Sequence, residues 1–268
     1  YRLLWAATMM GSIALWMRIL GTAQWLLDET GSAALVGLIG VVQLIVQVPT
    51  TLWAGTLADR VDRKRLMTLS YGLTAASLIL LGFLNYVGFL SPALVYLGIA
   101  VTASTHMLVG PARSALIPVI FPEKDLMLAT STDTASSNIA AIVGPLIFAL
   151  IATAADLSLV FVAAGAFSFL SMLLPFFIWA SGKSENSKDD APKSQIAQTI
   201  DGFRYVANHP ILPGLFLLDI GITTASFYRE ILPVLALGLF AGGASATGML
   251  GAANSVGAIV GSLLALLL

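Results

Sequence analysis

Apolar runs long enough to cross a bilayer recur along this chain, separated by short charged or polar links. A helix needs about 20 apolar residues to span a hydrocarbon core of about 30 Å. Such runs are read at 3–27, 33–57, 66–88, 92–112, 125–153, 156–180, 211–235 and 244–268. Only 10% of residues are charged, against about 25% in soluble domains, and mean hydropathy is +0.92. The chain therefore reads as an all-α polytopic membrane protein. Gly, Ala and Ser recur at short intervals within the runs, as close helix packing in lipid requires. A net charge of −1 gives no electrostatic basis for binding nucleic acid. The absence of Cys removes disulfides and thiolate metal sites. No metal site, cofactor motif or catalytic constellation is read. No phosphate-cradling GxxxxGK[ST] loop occurs, which argues against ATP-driven transport and an enzyme.

The densest charge lies in Gly55–Met67, which holds Asp59, Arg60, Asp62, Arg63, Lys64 and Arg65. Such a cluster is too costly for hydrocarbon and belongs in a turn at a membrane surface. Lys and Arg excess marks short cytoplasmic loops. Arg2, Arg113, Lys124, Lys183, Lys188, Lys193 and Arg204 fall on the same side as this turn if each run spans once. The links near Asp28–Ser32, Gly88–Ser91 and Asp156 hold no Lys or Arg. This asymmetry predicts a cytoplasmic N-terminus.

The 181–195 stretch is polar and poor in aromatics, and reads as a flexible linker. Ile196, Ile200, Phe203 and Ala207 then share one helical face. They belong either to a short helix lying on the membrane surface or to a solvated linker. A repeat appears at a shift of 211 residues: Gly31 falls on Gly242, Gly37 on Gly248, Gly40 on Gly251, Gln43 on Asn254 and Arg18 on Arg229. Parallel halves of one transporter produce such a pattern. The chain is thus expected to divide into a six-helix bundle at 1–180, a linker at 181–210, and at 211–268 the first two helices of a second bundle that it does not finish.

Gly55, Leu57, Ala58, Asp59, Arg60, Arg63 and Lys64 match the loop Gly-x-Leu-Ala-Asp-Arg-x-Gly-Arg-Lys between helices 2 and 3 of the major facilitator superfamily, which the chain resembles. Asp62 stands where the family has Gly. The stretch at 110–150 is similar to helices 4–5 of the bacterial drug and siderophore exporters of that superfamily, through Gly110-Pro111-Ala112-Arg113, Asn138 and Gly144-Pro145. Phe148 and Ala141 depart from that group's small residue and Arg. Residues 232–250 resemble its helix 7–8 turn. The resemblance implies a major facilitator fold. It also implies that Gly55, Asp59, Arg60, Arg63, Lys64 and Arg113 latch the cytoplasmic ends of the two halves, and that Gly144-Pro145 act as an antiporter-like motif. A purely topogenic basic loop is the alternative for Asp59 and its neighbours.

Ionisable residues inside spans are costly and are functional candidates by default. Arg18 lies about 15 residues into helix 1, and Arg229 holds the corresponding place in helix 7. Either both face a central cavity and meet an anionic group, or they form structural ion pairs, as Arg229 with Asp219 or Glu230. Asp219, Thr223, Ser226 and Glu230 share one face of helix 7. A buried Asp219 or Glu230 exchanges protons near neutral pH; a hydrated Glu230 at the outer interface does not. His106 relays protons or simply bonds a neighbour. Asp133 carries protons or pairs with His106 or Arg113. Gln43 and Gln47, with Asn254 as the repeat counterpart of Gln43, line the cavity or act as polar glue between helices. These readings combine into an exporter of a small amphipathic molecule, driven by proton exchange through alternating access. The resemblance implies the bacterial inner membrane, and the protein is expected to be monomeric when full length. A lysophospholipid transporter on the same fold, and a non-transporting sensor or assembly factor, are the alternatives.

Overall fold

The computed structural model describes residues 2–122, 125–177, 204–225 and 229–265. They form helices α1 (Arg2–Thr30), α2 (Ala33–Arg60), α3 (Arg63–Tyr86), α4 (Pro92–Ile120), α5 (Leu126–Ala154), α6 (Leu157–Leu173), α7 (Leu212–Ala225), α8 (Leu232–Phe240) and α9 (Ala244–Ala265). A 3₁₀ turn at Leu174–Phe177 continues α6. Six of the described helices are long and apolar enough to cross a membrane, and α8 with α9 passes the same test only as a pair bent by 114°.

The short links carry the stop and start chemistry. Gly31, at φ 61°, takes the left-handed conformation that ends α1 without a Cβ penalty. Ser32 then caps α2 by accepting from Leu35 N. Asp62, the departure from the family Gly, caps α3: its carboxylate accepts from Lys64 N at 2.9 Å and Arg65 N at 3.2 Å. Pro92 opens α4 in its first turn, where a missing N–H costs nothing. Helix α4 runs to Ile120, past the expected end at 112, with Pro111 and Pro118 inside it.

Helix α1 is buried on every side between Trp16 and Leu27. An all-round apolar helix has no polar face to give to water and belongs at the centre of a bundle. It packs on α5 and α6, α3 packs on α4 and α6, and α2 packs on α4. One apolar cluster joins Met17, Leu20, Leu26, Phe148 and Phe161; a second, towards the charged loop, joins Met67, Tyr71, Val109 and Leu116. Lipid tails are as apolar as Leu, so close packing rather than exclusion from water holds these helices together. The exposed Leu44, Ile45, Val48 and Leu73 are normal for such a chain.

One expectation is corrected. Helix 7 is not one continuous helix over 211–235: α7 is described as far as Ala225, and a turn at 229–231 precedes α8. Pro233 lies in the first turn of α8, where it cannot donate to a preceding helical turn. The sixth span is described over Leu157–Phe177, α-helical to Leu173 and 3₁₀ from there, and 178–180 lie outside the described residues. The linker and most of the surface helix expected near 196–207 lie outside the described residues; 204–208 is helical.

Candidate functional site

Arg18 is 4% exposed and projects into the six-helix bundle. It lines a cleft of about 20 Å³ with Tyr71 and Thr74 of α3, Thr102 and His106 of α4, and Ser168 of α6. Its Nη1 has no hydrogen-bond partner among the described residues. The charge of Glu230 acts on it from outside the cleft wall. The expected symmetry of Arg18 and Arg229 therefore does not extend to their surroundings. Arg229 is exposed in the turn before α8, with its guanidinium carbon 4.7 Å from the Trp16 ring centroid, a cation–π contact. Arg18 lies inside α1, whereas Arg229 lies in the turn at 229–231.

Glu230 is 8% exposed, and one oxygen accepts from Gln43 Nε2 at 3.4 Å. It is thus held inside the protein rather than hydrated at an interface. The stripe drawn from Asp219 to Glu230 is broken by the same turn; the side chains of Asp219, Thr223 and Ser226 lie outside the described residues. Gln47 is half-buried one turn beyond Gln43, and Asn254 is exposed on α9. Beside it, Ser255 donates to the Ala141 carbonyl of α5 at 2.9 Å.

The sequence reading missed another contact between the segments: Thr247 of α9 donates to Gln24 Oε1 of α1 at 2.9 Å, while Gln24 Nε2 donates to Asp28 at 2.8 Å. An amide buried in an otherwise apolar run was the available signal. Gly144 and Pro145 bind two neighbours at once. A Cβ on Gly144 would lie 2.6 Å from Trp16 Cβ and 3.2 Å from the Ile13 carbonyl oxygen, so only glycine admits α1 this close. On the other side of α5, a Cβ on Gly248 of α9 would lie 2.5 Å from the Pro145 carbonyl oxygen, and one on Gly251 would lie 3.2 Å from Pro145 Cβ. The pair therefore joins α1, α5 and α9.

At the charged end, Arg63 Nη1 donates to the Ala115 carbonyl at 2.9 Å and ties the start of α3 to α4. Arg113 pairs with Asp133 at 3.4 Å, both partly buried, which selects Arg113 rather than His106 among the expected partners of Asp133. His106 opens onto the Arg18 cleft but is itself accessible. Lys64 follows the Asp62 cap; the surroundings of Gly55 and the side chains of Asp59 and Arg60 are not described.

The family model described as Major Facilitator Superfamily matches residues 4–268. Among characterised proteins the chain is similar to the multidrug efflux pump Tap of Mycobacterium tuberculosis and of Mycobacterium bovis, 26% identical over 224 residues, covering 81% of this chain and 53% of the relative. It is also similar to a Na(+), Li(+), K(+)/H(+) antiporter of Planococcus maritimus, 26% identical over 162 residues, covering 60% of this chain and 38% of the relative. The chain spans about half the length of the relatives named pumps.

Proposed function

The chain belongs to the Major Facilitator Superfamily, and from that premise we propose that it serves proton-driven export of a small amphipathic organic molecule across a bacterial inner membrane, with 1–180 and 211–268 contributing to opposite halves of the transporter. The observation that carries this reading is Glu230. Its carboxylate is buried where α2 meets the second segment, accepts from Gln43, and acts electrostatically on Arg18. A proton on Glu230 cancels the charge that attracts Arg18 and weakens the bond to Gln43. Protonation then loosens the junction between the halves, which is what a proton must do to drive alternating access. The efflux direction and organic substrate are supported by the name of the mycobacterial relatives.

A second reading, monovalent cation–proton antiport, is favoured by the Planococcus relative and uses the same carboxylate. Flux in liposomes with an imposed pH gradient tests both. Gradient-driven movement of a lipophilic dye, reduced at least tenfold in Glu230→Gln with folding intact, supports the export reading. Proton movement that depends on Na⁺ or K⁺ without dye flux selects the second. Dye flux indifferent to the gradient overturns proton coupling, and no flux of either kind favours a non-transporting role.

A further inference from the structure

The cleft around Arg18 lies within α1–α6, away from the junction that transport would open. Two buried polar atoms on its wall, Arg18 Nη1 and Ser168 Oγ, have no hydrogen-bond partner among the described residues. Arg18 is 4% exposed and Ser168 1%. Thr102 donates to the Gly98 and Ile99 carbonyls, and Thr74 bonds Thr105. Among the described residues no acidic side chain lines the cleft, and the Tyr71 hydroxyl and His106 imidazole share its polar wall. Glu230 acts on Arg18 only from beyond the wall and already accepts from Gln43.

We propose that this cleft binds one small monovalent anion of halide size, chloride in ordinary media, held by Arg18 Nη1 and the Ser168 hydroxyl. Size, charge and donor set each point to it. About 20 Å³ admits one water-sized particle and excludes a carboxylate-bearing organic molecule or phosphate. A guanidinium buried in low dielectric needs a compensating charge as well as hydrogen-bond acceptors. A water molecule supplies only the acceptor. Both orphaned groups are donors, Tyr71 and His106 stand on the same wall, and Gly11, Ala14, Leu15 and Val109 add the C–H surface that a weakly hydrated anion tolerates. The inference does not depend on the transport reading.

Thermal melting of the purified protein in sodium chloride or bromide, against sodium gluconate at equal ionic strength, tests it. A bound halide raises the melting temperature with a saturable concentration dependence, because it binds only the folded state. Ser168→Ala removes one bond to a charged partner and raises the half-saturating concentration about tenfold. Arg18→Gln removes the halide dependence; if that variant does not fold, Ser168→Ala and bromide anomalous density in the cleft decide. Equal melting in chloride and gluconate, an unchanged halide response in Ser168→Ala, or crystals grown in bromide with no anomalous peak beside Arg18 would overturn the proposal.

Discussion

Asp156 concentrates several jobs in one carboxylate. It caps α6 by accepting from Ser158 N at 3.3 Å and from the Ser158 hydroxyl, and it accepts from Asn85 Nδ2 at 3.3 Å. Asn85 also donates to Ser158 Oγ at 2.8 Å, while its carbonyl takes the Trp25 indole N–H at 2.6 Å. One polar knot thus ties α1, α3 and α6. The Ser158 hydroxyl bond, helped by the backbone N–H groups of Ser158 and Leu157, holds the Asp156 pKa below its ordinary value against the opposing effect of partial burial. Because the folded pKa is depressed, the stabilisation is present above the unfolded pKa of about 3.9 and is lost as pH falls through the folded value. Asp156→Asn keeps the cap but cannot titrate. It should melt near the wild-type temperature at neutral pH and lose less than wild type on acidification below pH about 4. Asp156→Ala loses the cap and should cost about 1 kcal/mol at neutral pH. Melting curves at both pH values separate the three proteins. Asn85→Ala leaves the buried Trp25 N–H without its acceptor and should cost about 1–3 kcal/mol in a denaturation series.

At the scale of the helix, glycine decides which elements touch. Under the 211-residue shift, Gly37 and Gly248 correspond in sequence, yet Gly248 is pressed against α5 whereas a Cβ on Gly37 would meet nothing within 4 Å. Gly248→Val should therefore push α9 off α5 while leaving α1–α6 folded, and Gly37→Val should be tolerated by the contacts within this chain. Cysteine cross-linking between α5 and α9, with melting as the control, distinguishes them; equal cross-linking in both variants would refute the packing argument. The same scale shows what the sequence could disclose. Six spans were readable because hydropathy acts locally; the caps at Ser32, Asp62 and Asp156 were not read, although their signals are equally local. The interruption of helix 7 was hidden by an apolar run that continues on both sides of it; Arg229-Glu230 followed by Pro233 was the local mark. Site partners were less legible. The choice of Arg113 by Asp133, the buried Gln43–Glu230 pair and the Gln24–Thr247 bond depend on which faces meet across 20, 187 and 223 residues of chain, and periodicity carries no information on that.

Across the whole molecule, among the described residues, contacts between 1–180 and 211–268 run from the middle of the bundle, at Trp16–Arg229 and Ala141–Ser255, to the part away from the charged loop. Gln24 lies in the last third of α1, Pro145 in the last third of α5, and Thr247 and Gly248 in the first turns of α9. At the charged end, α7 presents exposed Leu215, Phe216, Leu217 and Leu218 instead. If the charged loop is cytoplasmic, as its Arg and Lys predict, these described contacts lie towards the outer side and would form an outer seal. Labelling of a single cysteine at Ser187 from the cytoplasmic face and at Ser91 from the opposite face checks that orientation; labelling of both from the same face would sink the topology. If the seal belongs to a transport cycle, it must open, and a covalent tie across it must stop flux. The chain has no Cys of its own, so Gln24→Cys with Thr247→Cys creates a single pair where side-chain atoms now stand 2.9 Å apart. Thr247→Cys removes the neutral bond to Gln24, worth about 0.5–1.5 kcal/mol, and Gln24→Cys removes that bond together with the one to Asp28; each single variant sets the flux level against which the double variant is read. Oxidation of the double variant in liposomes should abolish flux, and reduction should restore it to the level of the singles. Undiminished flux in a population shown by gel shift to be fully cross-linked would mean that α1 and α9 move together through the cycle, and the opening would then have to lie elsewhere along the junction.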